Sequence, residues 1–152
     1  MLFYFFRSGF SVMTVIEVAI FFASLLIALT VHEFSHALAA DKLGDPTAKM
    51  MGRLSLNPRA HLDPIGTLMI LFTGFGWGKP VPFNPLYLES PRRDSALISF
   101  AGPISNIITA IIIALPYRLG LPIFQDKLIF ELIITAVSIN IGLAVFNLLP
   151  IY

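Results

Sequence analysis

Between Ser8 and Val31 the chain carries one charged side chain, Glu17, and the residues that follow directly are His32-Glu33-Phe34-Ser35-His36. A run of about 20 apolar residues is long enough to cross the hydrocarbon of a bilayer as a helix. In lipid the backbone must satisfy its own hydrogen bonds, so the helix is expected to continue through the histidines. Charged residues make up 12% of the sequence, against about 25% in an ordinary soluble domain. The 152 residues read as one domain, 1–152, of the all-α membrane class, with spans at about 11–40, 95–116 and 128–150. A cleaved leader is disfavoured, because the apolar run exceeds a signal peptide's and the small residues Ala37 to Ala40 lie beyond the histidines.

On a helix His32 and His36 leave the same face one turn apart, where two imidazoles can share one metal ion. Glu33 lies between them, placed to act as general base on water. His-Glu-x-x-His alone has three fixed positions and arises by chance in soluble helices. Inside an apolar span the balance shifts, since unpartnered ionisable groups are costly there. Zinc is the expected metal, because imidazole suits it and hydrolysis needs no redox change. A catalytic zinc has three protein ligands and an open position, and this motif supplies two.

The polar stretch after the first span includes Ala48 to Leu56, read as extended chain and a candidate small β element at the membrane. Asn57-Pro58 and Asp63-Pro64 mark turns. The apolar segment 65–77 is short and glycine-rich, which favours a re-entrant over a spanning element. If it does not cross, residues 41–94 lie on one side with Lys42, Lys49, Arg53, Arg59, Lys79, Arg92 and Arg93. The opposite side then has Arg7, Arg118 and Lys127. Seven cations against three place the 41–94 segment, and the histidine end of the first helix, on the cytoplasmic side. A net charge of +1 gives no reason to expect nucleic acid as a partner, and with no cysteine there are no disulfides.

Gly102-Pro103-Ile104-Ser105-Asn106 falls in the second span. Pro103 breaks a helix hydrogen bond, and Ala101, Gly102 and Ser105 allow close helix approach. Asn106 is either a satisfied amide in a packed interface or a polar wall of an active site near the substrate backbone. Asn147-Leu148-Leu149-Pro150 closes the third span, where Asn147 either caps the helix or donates to a scissile carbonyl. His61 and Asp63 read first as turn caps, with metal ligation as the alternative. Glu17 and Glu131 are expected at the opposite membrane interface.

Four pieces, in order, resemble the site-2 protease family of intramembrane zinc metalloproteases. They are His32-Glu33-Phe34-Ser35-His36; Gly52-Arg53-Leu54-Ser55-Leu56-Asn57-Pro58 with His61-Leu62-Asp63-Pro64-Ile65-Gly66-Thr67; Ala101-Gly102-Pro103-Ile104-Ser105-Asn106; and Asn147-Leu148-Leu149-Pro150. The compact bacterial and archaeal branch without an inserted PDZ domain is most similar. The resemblance implies a three-helix core around Zn2+, with His32 and His36 as metal ligands, Glu33 as the catalytic residue that activates water, and Asn106 and Asn147 binding the substrate strand or the oxyanion. The extended piece near Arg53–Asn57 resembles the family's membrane-embedded sheet. Implied substrates are transmembrane segments of membrane-tethered proteins, cleaved near the cytoplasmic face of a prokaryotic cell membrane. The family's third ligand is an aspartate shortly after the Asn-x-x-Pro piece. This sequence stops before that position, which favours its being a fragment, with Asp63 as the in-chain alternative ligand.

Two other functions compete: a protease-like membrane scaffold without turnover, and a small transporter with broken helices. A transporter should show polar residues along several helices. Here polarity is concentrated at one level, which favours a site over a path.

Overall fold

The computed structural model describes residues 11–74, 76–122 and 126–149. Three long helices dominate: α1 (Val12–Lys42), α4 (Pro91–Arg118) and α5 (Lys127–Leu148). Between the first two lie a one-turn helix α2 (Thr47–Met50), a ten-residue helix α3 (Pro64–Thr73) and two short 3-10 turns. The three long helices are each apolar and long enough to cross a membrane. They coincide with the expected spans apart from a few terminal residues. Position 150 lies outside the described residues.

Each long helix buries a narrow stripe made mostly of small or polar residues and turns most of its large aliphatic side chains outward. On α4 the stripe is Asp94, Ile98, Gly102, Asn106 and Ala110, one residue per turn. On α5 it is Ile133, Ala136, Asn140 and Ala144. On α1 it includes Ala28, His32, Ala37 and Ala40. Small side chains let helix backbones approach closely where lipid gives no hydrophobic drive for association. Outward-facing Ile108, Ile111, Ile112 and Leu115 of α4 are all more than half exposed, as suits a surface that faces hydrocarbon.

Cross-helix contacts fix the directions. Asn106 reaches the Ala28 carbonyl and His36 reaches the Ile98 carbonyl, so α1 and α4 run antiparallel. Asn106 also meets Asn140, and Tyr117 stacks near Phe130, so α4 and α5 are antiparallel and α5 runs parallel to α1. The C-terminal end of α1 and the N-terminal end of α4 therefore share one end of the bundle. The segment 43–90 leaves from that end and returns to it.

Within that segment Asp45 is fully buried and acts as a staple. Its carboxylate accepts from the Thr47 backbone N–H (2.9 Å) and hydroxyl (2.5 Å) and from the Asn84 N–H (2.6 Å). Burial works against its charged form, but these donors outweigh burial and hold the carboxyl below its usual range. The same cap corrects one sequence expectation: Ala48 to Met50 are helical, not extended. Asp45 caps the turn just before Ala48, Lys49 and Met50, all residues that favour helix. Among the described residues there is no strand, only an isolated antiparallel bridge between Leu62 and Gly78. Helix α3 starts at Pro64, where Asp63 caps the Gly66 N–H, and ends at Gly74 in the left-handed conformation with φ 82°. At about 1.5 Å per residue it extends roughly 15 Å, half the hydrocarbon thickness.

Candidate metal centre

His32 and His36 project from adjacent turns of α1 towards Gly102 on α4. Their Nε2 atoms are 3.0 Å apart. Each Nδ1 has its own partner: the Asn106 Oδ1 at 2.5 Å from His32 and the Ile98 carbonyl oxygen at 2.7 Å from His36. Both partners accept, so each imidazole carries its proton on Nδ1 and turns an Nε2 lone pair towards the other ring. Two lone pairs facing each other at this distance repel, and a cation between them relieves that. With zinc–nitrogen bonds of about 2.0–2.1 Å and tetrahedral angles, the two nitrogens would sit roughly 3.3 Å apart. The pair therefore fits a shared divalent ion with little movement. Among the described residues no third His, Cys, Asp or Glu side chain joins them.

Gly102 is the close neighbour that holds this geometry. A Cβ there would lie 2.4 Å from His36 Nε2 and 2.6 Å from His32 Nε2, so only glycine lets α4 pass. The Ile98 carbonyl, one turn before Gly102, is the one that receives His36.

Glu33 is 8% exposed, and its Oε2 accepts from the Val81 backbone N–H at 3.1 Å. Val81 is held there by a stitched loop. The Lys79 N–H donates to the His61 carbonyl at 2.8 Å, and buried Arg53 donates to the Lys79 carbonyl. His61 is itself fully buried and donates through Nε2 to the Ser55 carbonyl at 2.6 Å. Burial keeps its pKa below the ordinary value. The loop thus reaches the glutamate through a backbone group.

His32 and Glu33 line a cavity of about 390 Å³ with Leu29, Ile70, Trp77 and Asn147. An adjoining space of about 290 Å³ is bordered by His32, Glu33, His36 and Asn147. Asn147 donates through Nδ2 to the Leu143 carbonyl one turn back, at 2.8 Å. It borders both spaces together with His32 and Glu33. Asn106 does not border either space. It is fully buried, with Oδ1 on His32 and Nδ2 on the Ala28 carbonyl (3.1 Å) and Asn140 Oδ1 (2.8 Å). These contacts are those of the satisfied amide that the sequence also allowed, and they support His32. His61 and Asp63 stay away from the histidine pair: Asp63 caps α3 and His61 is locked in the loop. Sequence reasoning did not pick out Asn140, although its spacing to Ala136 and Ala144 puts it on the buried stripe. It also missed Val81, whose part is played by its backbone.

Paired imidazoles with a neighbouring carboxylate, in a helix of membrane-crossing length, are the arrangement expected of a membrane metallopeptidase. Comparison with known proteins carries this further. The profile of peptidase family M50 matches residues 20–126, and the chain belongs to that family, the site-2 proteases. The chain is 41% identical over 134 residues to the Bacillus subtilis protein named "Putative zinc metalloprotease YwhC", an alignment that covers 84% of this chain and 61% of that protein. It is 33% identical over 103 residues to a Mycobacterium tuberculosis protein named "Putative zinc metalloprotease Rip2", covering 64% of this chain and 39% of that protein. The chain thus spans about three-fifths of YwhC's length and less of Rip2's. No solved structure matches it.

Proposed function

We propose that residues 1–152 form one unit, the zinc-binding core of an intramembrane endopeptidase that hydrolyses peptide bonds in transmembrane segments of membrane-tethered proteins. The observation that carries this reading is the convergence of two Nε2 atoms at 3.0 Å, with Glu33 beside them, on a helix able to span a bilayer.

His32 and His36 hold the metal through Nε2, each oriented by its Nδ1–H bond. Bound there, zinc supplies Lewis-acid polarisation of the scissile carbonyl and of the attacking water. Glu33 has one oxygen anchored by Val81, which leaves the other to take a proton from water as its oxygen attacks the carbonyl carbon. Glu33 then returns that proton to the leaving amide nitrogen as the C–N bond breaks. Asn147 has a second Nδ2 hydrogen beyond the one given to Leu143, suited to the substrate strand or the developing oxyanion. Substrate must unwind locally, since helical carbonyls are hydrogen-bonded and shielded.

The cations of the 43–90 loop and its neighbours support an orientation with the histidine end at the cytoplasmic face of a prokaryotic cell membrane. Helix α3 is proposed to re-enter without crossing. Its Ile70 borders a cavity with Phe21 and Leu25 of α1, and Leu25 lies roughly 25 Å from Lys42 along that helix. A reporter fused between Gly78 and Pro91 should read as cytoplasmic, and an external reading would refute the placement. For the metal, the full-length protein purified in detergent should carry about one zinc per chain, and His32→Ala should carry almost none. Zinc content unaffected by that change would remove the histidine pair from the site. A zinc-loaded protein that cleaves no transmembrane reporter substrate would leave a binding scaffold as the remaining function.

A further inference from the structure

We propose that Asn140, on α5, is a positioning residue for the metal site: acting through Asn106, it selects the tautomer that His32 presents. This rests on the reading of His32 as a zinc ligand.

A primary amide offers an acceptor on one side and two donors on the other. Were the Asn106 amide reversed, its Nδ2 would donate to His32 Nδ1. The imidazole proton would then move to Nε2, where it blocks ligation. What prevents this is the far side of Asn106. Its Nδ2 has two acceptors there, the Ala28 carbonyl at 3.1 Å and Asn140 Oδ1 at 2.8 Å. Reversal would set the Asn106 oxygen against both. Asn140 is in turn oriented by its own Nδ2, which donates to the Ala136 carbonyl at 2.8 Å. A backbone carbonyl of its own helix cannot flip. Orientation therefore passes from the α5 backbone through two side-chain amides to the ring on α1. Asn140, Asn106 and His32 are 1%, 0% and 3% exposed, so bulk water does not compete for these bonds.

The test uses zinc alone as the probe, with the full-length protein in detergent. Affinity is read by chelator competition, and the His32 tautomer by imidazole 15N NMR of the zinc-free protein. Asn140→Ser is too short to reach Asn106 and should weaken zinc binding about tenfold, the low end of what supporting hydrogen bonds contribute at metal sites, with both tautomers present. Asn140→Asp keeps an acceptor and should remain within about threefold of wild type. Wild-type affinity and a single tautomer in Asn140→Ser would overturn the proposal. Equal losses in Asn140→Ser and Asn140→Asp would do the same, by reducing Asn140 to helix packing. If Asn140→Ser does not fold, a mixture of His32 tautomers in Asn140→Asp would overturn the proposal. Failure of the wild type to bind zinc would instead remove the metal reading itself.

Discussion

Glu33→Gln is expected to keep its zinc and to lose cleavage by about 10²- to 10⁴-fold, the usual loss when a general base is removed. The substitution changes one oxygen to nitrogen. The glutamine carbonyl can still accept from the Val81 N–H, so the side chain should stay where it is. The amide then facing the cavity cannot take a proton from water. His32 and His36 are untouched, so metal content should not move. The loss corresponds to about 3–5 kcal/mol of barrier. Zinc per chain by elemental analysis and single-turnover cleavage of a transmembrane reporter would be measured together. Cleavage undiminished by the change would remove Glu33 from the mechanism.

The second large effect is expected at a residue with no side chain. Gly102→Ala would put a methyl carbon 2.4 Å and 2.6 Å from the two Nε2 atoms, well inside any van der Waals contact. The rings cannot swing clear cheaply, since Asn106 and the Ile98 carbonyl hold their Nδ1 atoms. Zinc affinity should fall by about 100-fold, the upper end of losses from disturbed ligand support, while helix content by circular dichroism is retained. Gly142→Ala is the natural control, because a Cβ there meets nothing within 4 Å. Wild-type zinc binding by Gly102→Ala would show that α4 can retreat, and that the tight crossing does not define the site.

Much of this arrangement was legible in the sequence because lipid restricts what a backbone can do. Long apolar runs become helices, and the His32/His36 spacing places two rings on one face whatever packs against it. The loop between the spans was less legible. Ala48 to Leu56 has no strong period, and a buried cap at Asp45 turned its first residues helical. Asn106 stayed open between a satisfied amide in a packed interface and a wall of the active site, because an amide at depth looks the same in sequence whether it faces a cavity or a neighbouring ring. Asn140 on the stripe of Ile133, Ala136 and Ala144 could have been found by asking which residue satisfies Asn106. Val81 could not, since a peptide N–H has no letter of its own.

That last point bears on how such a site drifts. Because a main-chain group at Val81 grips the glutamate, nineteen of the twenty amino acids can deliver the same hold there, and only proline lacks the hydrogen. Scanning the loop one side chain at a time would therefore pass over the anchor, whereas shortening or re-bending the path from Gly78 to Val81 would release it.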